Sequence, residues 1–395
     1  MLSHLFHRLR SLDFVTRPSP RIAFGPGMLE KLPEFIKEIG GSKTLIVTDE
    51  GILQAGHAER TLSILEKADC EALIFDGAEE NPTNHCISNC RDFARNAGVD
   101  FLIGLGGGSS MDTAKGCNFL LTNGGEMKDY HGYGKATHPM LPFIAVPTTS
   151  GTGSECQSYA LVSDDETHVK MACGDAKALA QVALLDPELT ASQPKLVASL
   201  TGLDALAHAV ETAVCLPRNP ISNIHSLEAF RLLASSIHSV TNGTASLEDR
   251  SNMLLGAAFA GLAIENSMLG AAHACANPLT AFFDVTHGHA VSLMLPHVIR
   301  FNRLDPEVDE IYRSYESFIP SGGSEKLDLA DWLDTLKFTA GLKSLSEMGI
   351  GVADVKRLAG GALHQWTGRF NPCPVGLSDF EAIYSNAISD VVRCA

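Results

Sequence analysis

The apolar positions of the chain change period once. Up to about residue 188, short apolar runs alternate with segments of helical spacing. Arg21–Phe24, Lys43–Thr48, Glu71–Phe75, Phe101–Leu105 and Leu141–Val146 are runs of strand type. Met28–Ile39, Ala58–Ala68 and Cys86–Ala97 carry apolar residues three and four apart and predict helices, the first stopped by Gly40 and Gly41. Val162–Ala172 reads as a returning hairpin. Strands alternating with helices across short joints predict a parallel sheet covered on both faces. After Leu185-Asp186-Pro187-Glu188 the alternation stops. From Pro194 onward the periods are helical, broken near Pro217–Pro220, Asn242-Gly243, Pro278, Pro296, Pro320–Gly323 and Pro372–Gly376. The pattern predicts an α/β domain over residues 1–190 and an all-helical (all-α) domain over 191–395, with no internal repeat and no low-complexity tract.

Within the first half, Leu102–Lys115 (LIGLGGGSSMDTAK) reads as strand, tight glycine turn and helix. Glycines let the backbone take φ > 0 and come close to a ligand. Free N–H groups at the start of the next helix, with its dipole, favour an anion such as a pyrophosphate. Ser109 or Ser110 is the expected N-cap. The spacing of Gly106, Gly107 and Gly108 is not G-x-G-x-x-G, so an ordinary strand–helix turn without ligand competes. Ligands of parallel sheets sit at the carboxyl ends of strands. Asp49 and Gly106 fall at such ends, and Asn81 lies in the loop after one, which makes it a further candidate contact. Asp49 can hydrogen-bond a ribose diol and would repel the extra phosphate of NADP; its alternative is to cap the next helix. Pro147–Glu155 (PTTSGTGSE) is rich in hydroxyl donors and suits a diphosphate or a nicotinamide amide, or else is a solvated turn. Lys170, in the strands beyond, is a candidate partner for an anion.

The helical half carries a second constellation. Ala198–Val214 predicts a helix with polar residues inside an apolar stripe. Asp204 and His208, four apart, project from one face, and Glu211 is the next position up it. His273 lies among small residues, Gly270–Ala274, and His287 opens His287-Gly288-His289-Ala290. One carboxylate and three imidazoles suit a divalent transition metal. Fifteen histidines also yield such patterns by chance, each then a core or surface group.

Composition narrows the partners. A chain of 395 residues, 45% hydrophobic and 19% charged, fills two cores. The net charge of −16 argues against nucleic acid and anionic membranes. No apolar run approaches the roughly 18 residues that cross a bilayer. Ten cysteines without CxxC pairing, and no secretory apolar region, point to a reduced, cytoplasmic protein with buried thiols. Met1–Arg17, with His4, His7, Arg8 and Arg10, is expected to be an extension rather than a targeting peptide, lacking a Ser-rich body and a clear cleavage site.

Several motifs together carry a resemblance. Gly25-Pro26-Gly27, GGGSSMDTAK from Gly106, PTTSGTGSE from Pro147, DPEL from Asp186, TGLDALAHAVE from Thr201, and GAAHACANPL through HGHAVSLMLPHV follow in order over nearly the whole chain. In this the chain resembles the iron-containing (group III) alcohol dehydrogenases. The resemblance implies an N-terminal Rossmann-like, parallel-sheet dinucleotide-binding domain followed by a C-terminal helical metal-binding and substrate domain, with the active site in the cleft between. It implies a metal held by Asp204, His208, His273 and His287. It places Asp49, Gly106, Gly107, Gly108, Ser109, Asp112, Thr148, Thr149, Thr152 and Lys170 around NAD. One position departs from the family. Many members have a further His four residues after the ligand that matches His273, in an A-H-P-L sequence, thought to help move protons. Here it is Asn277, which can hydrogen-bond but cannot titrate. His289 and a water chain are the two alternative routes.

The expected activity is therefore a metal-dependent, NAD(H)-linked alcohol dehydrogenase or aldehyde reductase for a small primary alcohol or aldehyde. The metal would act as a Lewis acid on the substrate oxygen. Fe2+ is the family's usual metal, and the same donors would take Zn2+, Co2+ or Ni2+. Phe282, Phe283, His364, Trp366 and Phe370 are candidate pocket residues, and a homodimer or higher homo-oligomer is expected. Two other readings compete. One is an NAD- and metal-dependent lyase or cyclase similar to dehydroquinate synthase, whose phosphorylated substrate calls for several Lys and Arg residues; the motifs offer Lys170 and Arg369. The other is a non-catalytic cofactor-binding or filament-forming protein, against which the complete ligand set argues.

Overall fold

The computed structural model describes residues 14–165, 170–320 and 328–390. Most of the basic N-terminal stretch, Met1–Asp13, lies outside them. The chain divides into two compact units, one over residues 17–193 and one from Pro194 onward.

Among the described residues the first unit holds nine strands: β1 Arg21–Phe24, β2 Lys43–Val47, β3 Glu71–Phe75, β4 Phe101–Gly106, β5 Gly132–Tyr133, β6 Phe143–Pro147, β7 Tyr159–Ser163, β8 Lys170–Gly174 and β9 Val182–Leu185. Six form the expected parallel sheet, in the order β1-β9-β6-β4-β2-β3. Strands β4 and β6 are buried throughout, and β2 nearly so, as befits strands covered on both faces. Successive side chains serve opposite cores. Phe101, Ile103 and Leu105 pack with Leu32, Ile36 and Leu65, while Leu102 packs with Leu45, Met111 and Phe143. The covering helices are α1 Leu32–Ile39, α2 Glu50–Gln54, α3 His57–Lys67, α4 Asn84–Ala97 and α5 Gly108–Asn123. Chain leaving β2 runs to β3 at one edge, whereas chain leaving β4 runs to β6 and β9 on the other side. That reversal makes the carboxyl ends of β2 and β4 the place where sheets of this kind bind ligands. The hairpin is β7 against β8, antiparallel, with β5 beside β8. Two short elements, α2 and β9, carry too few residues to show a period. Met28–Lys31 is a 3₁₀ turn leading into α1, whose first turn contains Pro33.

The second unit is helical: α6 Lys195–Val214, α7 Pro220–Asn242, α8 Leu247–Glu265, α9 Ala271–Phe283, α10 His287–Asn302, α11 Pro306–Glu316, α12 Leu329–Thr339, α13 Val355–Leu363 and α14 Leu377–Ser389. Nearly every residue of α6 from Ser199 onward is buried, so it forms the centre of the bundle, packed on α7, α8 and α10. Small residues bring the helices close. A Cβ on Gly256 of α8 would stand 2.8 Å from Leu233 of α7. Among the described residues no helix is long and apolar enough to cross a membrane, and the described cysteines are free thiols.

Candidate metal centre and nucleotide cradle

Three helices of the second unit supply the candidate metal ligands. Asp204 and His208 lie one turn apart on α6, His273 sits in the first turn of α9, and His287 is the first residue of α10. The ligand atoms of Asp204, His208 and His273 all lie within 4.8 Å of one another, and all three residues are buried. The rings of His208 and His273 stack with centroids 4.9 Å apart. The His287 ring centroid is 5.4 Å from that of His273. Asp204 Oδ1 lies 3.4 Å from His273 Nε2 and 3.6 Å from His208 Nε2. Among the described residues, neither Asp204 Oδ1 nor His273 Nε2 has a hydrogen-bond partner. A buried polar atom left unsatisfied costs about 1–3 kcal/mol. A divalent cation between the two satisfies both, so the residues fit the expected metal, and one carboxylate with imidazoles suits Fe2+, Zn2+, Co2+ or Ni2+.

Electrostatics agrees with the geometry. Burial alone would push the Asp204 carboxyl up, but the imidazoles of His208, His273 and His287 outweigh it and hold it well below the usual range. Burial pulls His273 down, yet the carboxylates of Glu211 and Asp204 overcome that and raise it to about 9. The pocket thus favours positive charge. Glu211 also fixes the ring. His273 Nδ1–H donates to Glu211 Oε2 at 2.5 Å, which leaves Nε2 as the ring nitrogen turned toward Asp204, where a bound cation would displace its proton. Sequence reasoning placed Glu211 on the right helix face but found no task for it, because its partner lies 62 residues away.

Asn277 and His289 are placed differently from one another. Asn277, one turn past His273 on α9, donates from Nδ2 to Gln365 Oε1 at 2.8 Å. His289 is two residues past His287, about 200° around α10. Its Nε2 meets the carbonyl of Lys343 at 2.8 Å, and burial lowers its pKa. Of the candidate pocket residues, Phe282 lies under the Arg357 guanidinium, 4.3 Å from centroid, and Trp366 meets Phe370 edge-on.

In the first unit the glycine turn and the hydroxyl loop meet. Gly106 has φ +147°, and a Cβ there would stand 2.3 Å from Ser110 Oγ. A Cβ on Gly108 would stand 2.8 Å from Thr152 Cγ2, and Gly107 faces Thr149 at 3.5 Å. Thr148 N donates to Gly106 O at 2.9 Å, and Thr148 Oγ1 is buried with no hydrogen-bond partner among the described residues. The expected serine N-cap is not found. Helix α5 starts at Gly108 with Gly107 as N-cap and no side-chain capping bond, so Ser109 and Ser110 fall inside the first turn. The physical reason is that Ser110 Oγ is already committed, donating to Asp49 Oδ2 at 2.9 Å. The first helical bond is Met111 N to Gly107 O, which leaves the N–H groups of Gly108, Ser109 and Ser110 pointing out of the helix start. With no Cβ in the way, this cradle fits a diphosphate.

The remaining candidates are anchored in the protein as well. Asp49 caps α2, accepting from Ile52 N at 3.1 Å. Asp112 accepts from Ser154 Oγ at 2.7 Å; burial pushes its carboxyl up, against Lys115, Ser154 and Lys170, which pull it down. Lys170 begins β8. Asn81, at φ +54°, lies in the loop that docks on β7 through Ser163 N to Pro82 O at 2.8 Å. No hydrogen bond among the described residues joins it to the glycine turn. Sequence reasoning missed Lys115. Its buried Nζ donates to Ser154 O, Ser154 Oγ and Tyr159 O at 2.6, 2.8 and 2.9 Å, pinning the hydroxyl loop to α5. A lysine between Ala114 and Cys117 in a buried helix was the available signal.

Comparison with known proteins gives both units a family. Residues 19–187 match the family described as iron-containing alcohol dehydrogenase, and residues 198–388 match the C-terminal part of the Fe-containing alcohol dehydrogenase family. Alcohol dehydrogenase 4 of Schizosaccharomyces pombe is 31% identical over 366 residues, covering 92% of this chain and 87% of that one. A solved 1,3-propanediol oxidoreductase aligns with a TM-score of 0.88 at 31% identity, covering 96% of this chain and all of the other. Sulfoacetaldehyde reductase from Bifidobacterium kashiwanohense, solved in complex with NAD+, aligns with a TM-score of 0.85 at 25% identity, with 96% and 100% covered. Matched in order through both halves, the chain belongs to the iron-containing alcohol dehydrogenase family.

Proposed function

We propose that the protein is an NAD(H)-dependent alcohol dehydrogenase, or aldehyde reductase, for a small primary alcohol or aldehyde. Asp204, His208, His273 and His287 hold Fe2+ or another divalent metal, and Asp49, Gly106 to Ser109, Thr148, Thr149, Thr152 and Lys170 face NAD. The observation that carries this reading is the buried, unsatisfied pair of Asp204 Oδ1 and His273 Nε2 beside two further imidazoles. When bound, the cation polarises the substrate oxygen and NAD accepts or returns hydride. The hydroxyl proton of the alcohol would leave to solvent in oxidation and return from it in reduction. The chain's own residues orient and exclude. Glu211 holds the His273 ring, and Asp49 sets a negative charge where a 2′-phosphate would lie. Asn277 cannot carry a proton, and His289 is tied to the Lys343 carbonyl, so the proton travels by water. The free thiols support a reducing, cytoplasmic setting.

The test is a panel of short-chain aldehydes with NADH, run before and after chelation. The expected result is NADH oxidation that chelation abolishes and added divalent metal restores. NAD-dependent elimination from a phosphorylated substrate, with no aldehyde turnover, would instead select the lyase reading, which the alcohol dehydrogenase relatives do not favour.

A further inference from the structure

Helix α9 carries His273 but starts on a residue that cannot cap it. Gly270 is the N-cap and has no side chain. The first N–H groups of a helix have no partner within it. Here they are met from distant parts of the chain. Ala271 N donates to Asn371 Oδ1 at 3.2 Å, from 100 residues away, and Ala272 N donates to Glu211 Oε1 at 2.7 Å, from 61 residues away. Glycine admits both, since a Cβ at position 270 would stand 3.0 Å from Asn371 Oδ1 and 3.1 Å from Glu211 Oε1. Asn371 cannot turn aside. Its Nδ2 donates to Asn302 Oδ1 at 2.7 Å and to Cys373 O at 2.8 Å. Asn302 Nδ2 in turn donates to Asn371 Oδ1 and to Tyr312 Oη, each at 3.2 Å. Both asparagines are 1–2% exposed. The Ala271 N–H, which can only donate, and the Cys373 carbonyl, which can only accept, fix which end of the Asn371 amide is oxygen, and Asn371 then fixes Asn302.

We propose that the Asn302–Asn371 amide pair is a positioning device for the candidate metal ligand His273. Together with Glu211 it sets the height and rotation of the first turn of α9, and His273 is the third residue of that turn. A shift in the cap therefore moves the imidazole directly, against Asp204 on α6. Neither asparagine acts on substrate; both act through the helix start. The inference rests on the metal function proposed above.

Cobalt(II) serves as the probe, because its ligand-field absorption reports the geometry of its donors. Wild type, Asn371→Ala and Asn302→Ala are titrated with Co2+ as metal-free full-length proteins, with far-UV circular dichroism as the control for folding. Both variants are expected to bind Co2+ about 10- to 100-fold more weakly, the range typical of residues that orient ligands, and with shifted ligand-field bands. Wild-type affinity and spectrum in both variants would overturn the positioning role while leaving the metal function standing. If Asn371→Ala does not fold, Asn302→Ala, which retains the Ala271 cap, decides by the same two readouts. A wild type that takes up no cobalt would overturn the metal function and the positioning role together.

Discussion

Asp49 carries two structural tasks beside its proposed role toward the cofactor. It caps α2 through Oδ1 and receives Ser110 through Oδ2. A test of cofactor choice must therefore separate charge from cap. Asp49→Ser removes the charge and keeps an oxygen for the cap, whereas Asp49→Ala removes both and is expected to cost about 1 kcal/mol of stability. Initial rates with NADPH and NADH, alongside urea denaturation, distinguish the two. The NADPH-to-NADH rate ratio is expected to rise in both variants, and an unchanged ratio in Asp49→Ser would show that the charge does not select. At this scale the sequence showed which residues sit at strand ends and on helix faces. It could not show that Ser110 points at Asp49 rather than at its own helix start, because that choice depends on two strands being neighbours.

Among the elements, α5 and the hydroxyl loop after β6 are joined by charge buried in a core. Lys115 holds the loop, and Glu155 follows Ser154 with 1% exposure and an Oε1 that has no hydrogen-bond partner among the described residues. Burial pushes the Glu155 carboxyl up to about 7 from an ordinary 4.5, although its own backbone N–H and Lys115 pull it down. As pH rises, the unfolded chain loses this proton first. The folded state holds more protons between about 4.5 and 7, so stability falls across that window and levels off above it. The loss is about 3 kcal/mol. Glu155→Gln, which cannot ionise, should lack it. Denaturation curves at pH 5 and pH 7.5 check this, and equal pH dependence in both proteins would mean that the carboxyl is solvated or paired. The strands were legible because β2, β3 and β4 are apolar runs with clear ends. α2 and β9 were not, since a few residues hold no period and only tertiary pairing, such as β9 between β1 and β6, defines them.

For the whole molecule, each unit carries its own core and its own set of candidate contacts. The two sets share no residue, so His273→Ala should lose metal by elemental analysis while keeping NADH affinity within about twofold, as for independent sites. A large loss of NADH binding, read by nucleotide fluorescence, would show that the units do not act independently. The order of motifs made this two-part plan visible in the sequence, whereas the trans-capped start of α9 was invisible, being built from residues 61 and 100 positions away. That arrangement bears on how the protein is made. Synthesis delivers Asp204 and His208 first, then His273, and only much later the segment with Asn371. Until that segment has left the ribosome and packed, α9 lacks one of its two caps and only Glu211 holds the start of the helix. The candidate metal site is therefore expected to be among the last parts of the nascent chain to be completed, and a truncated product to lack a finished one.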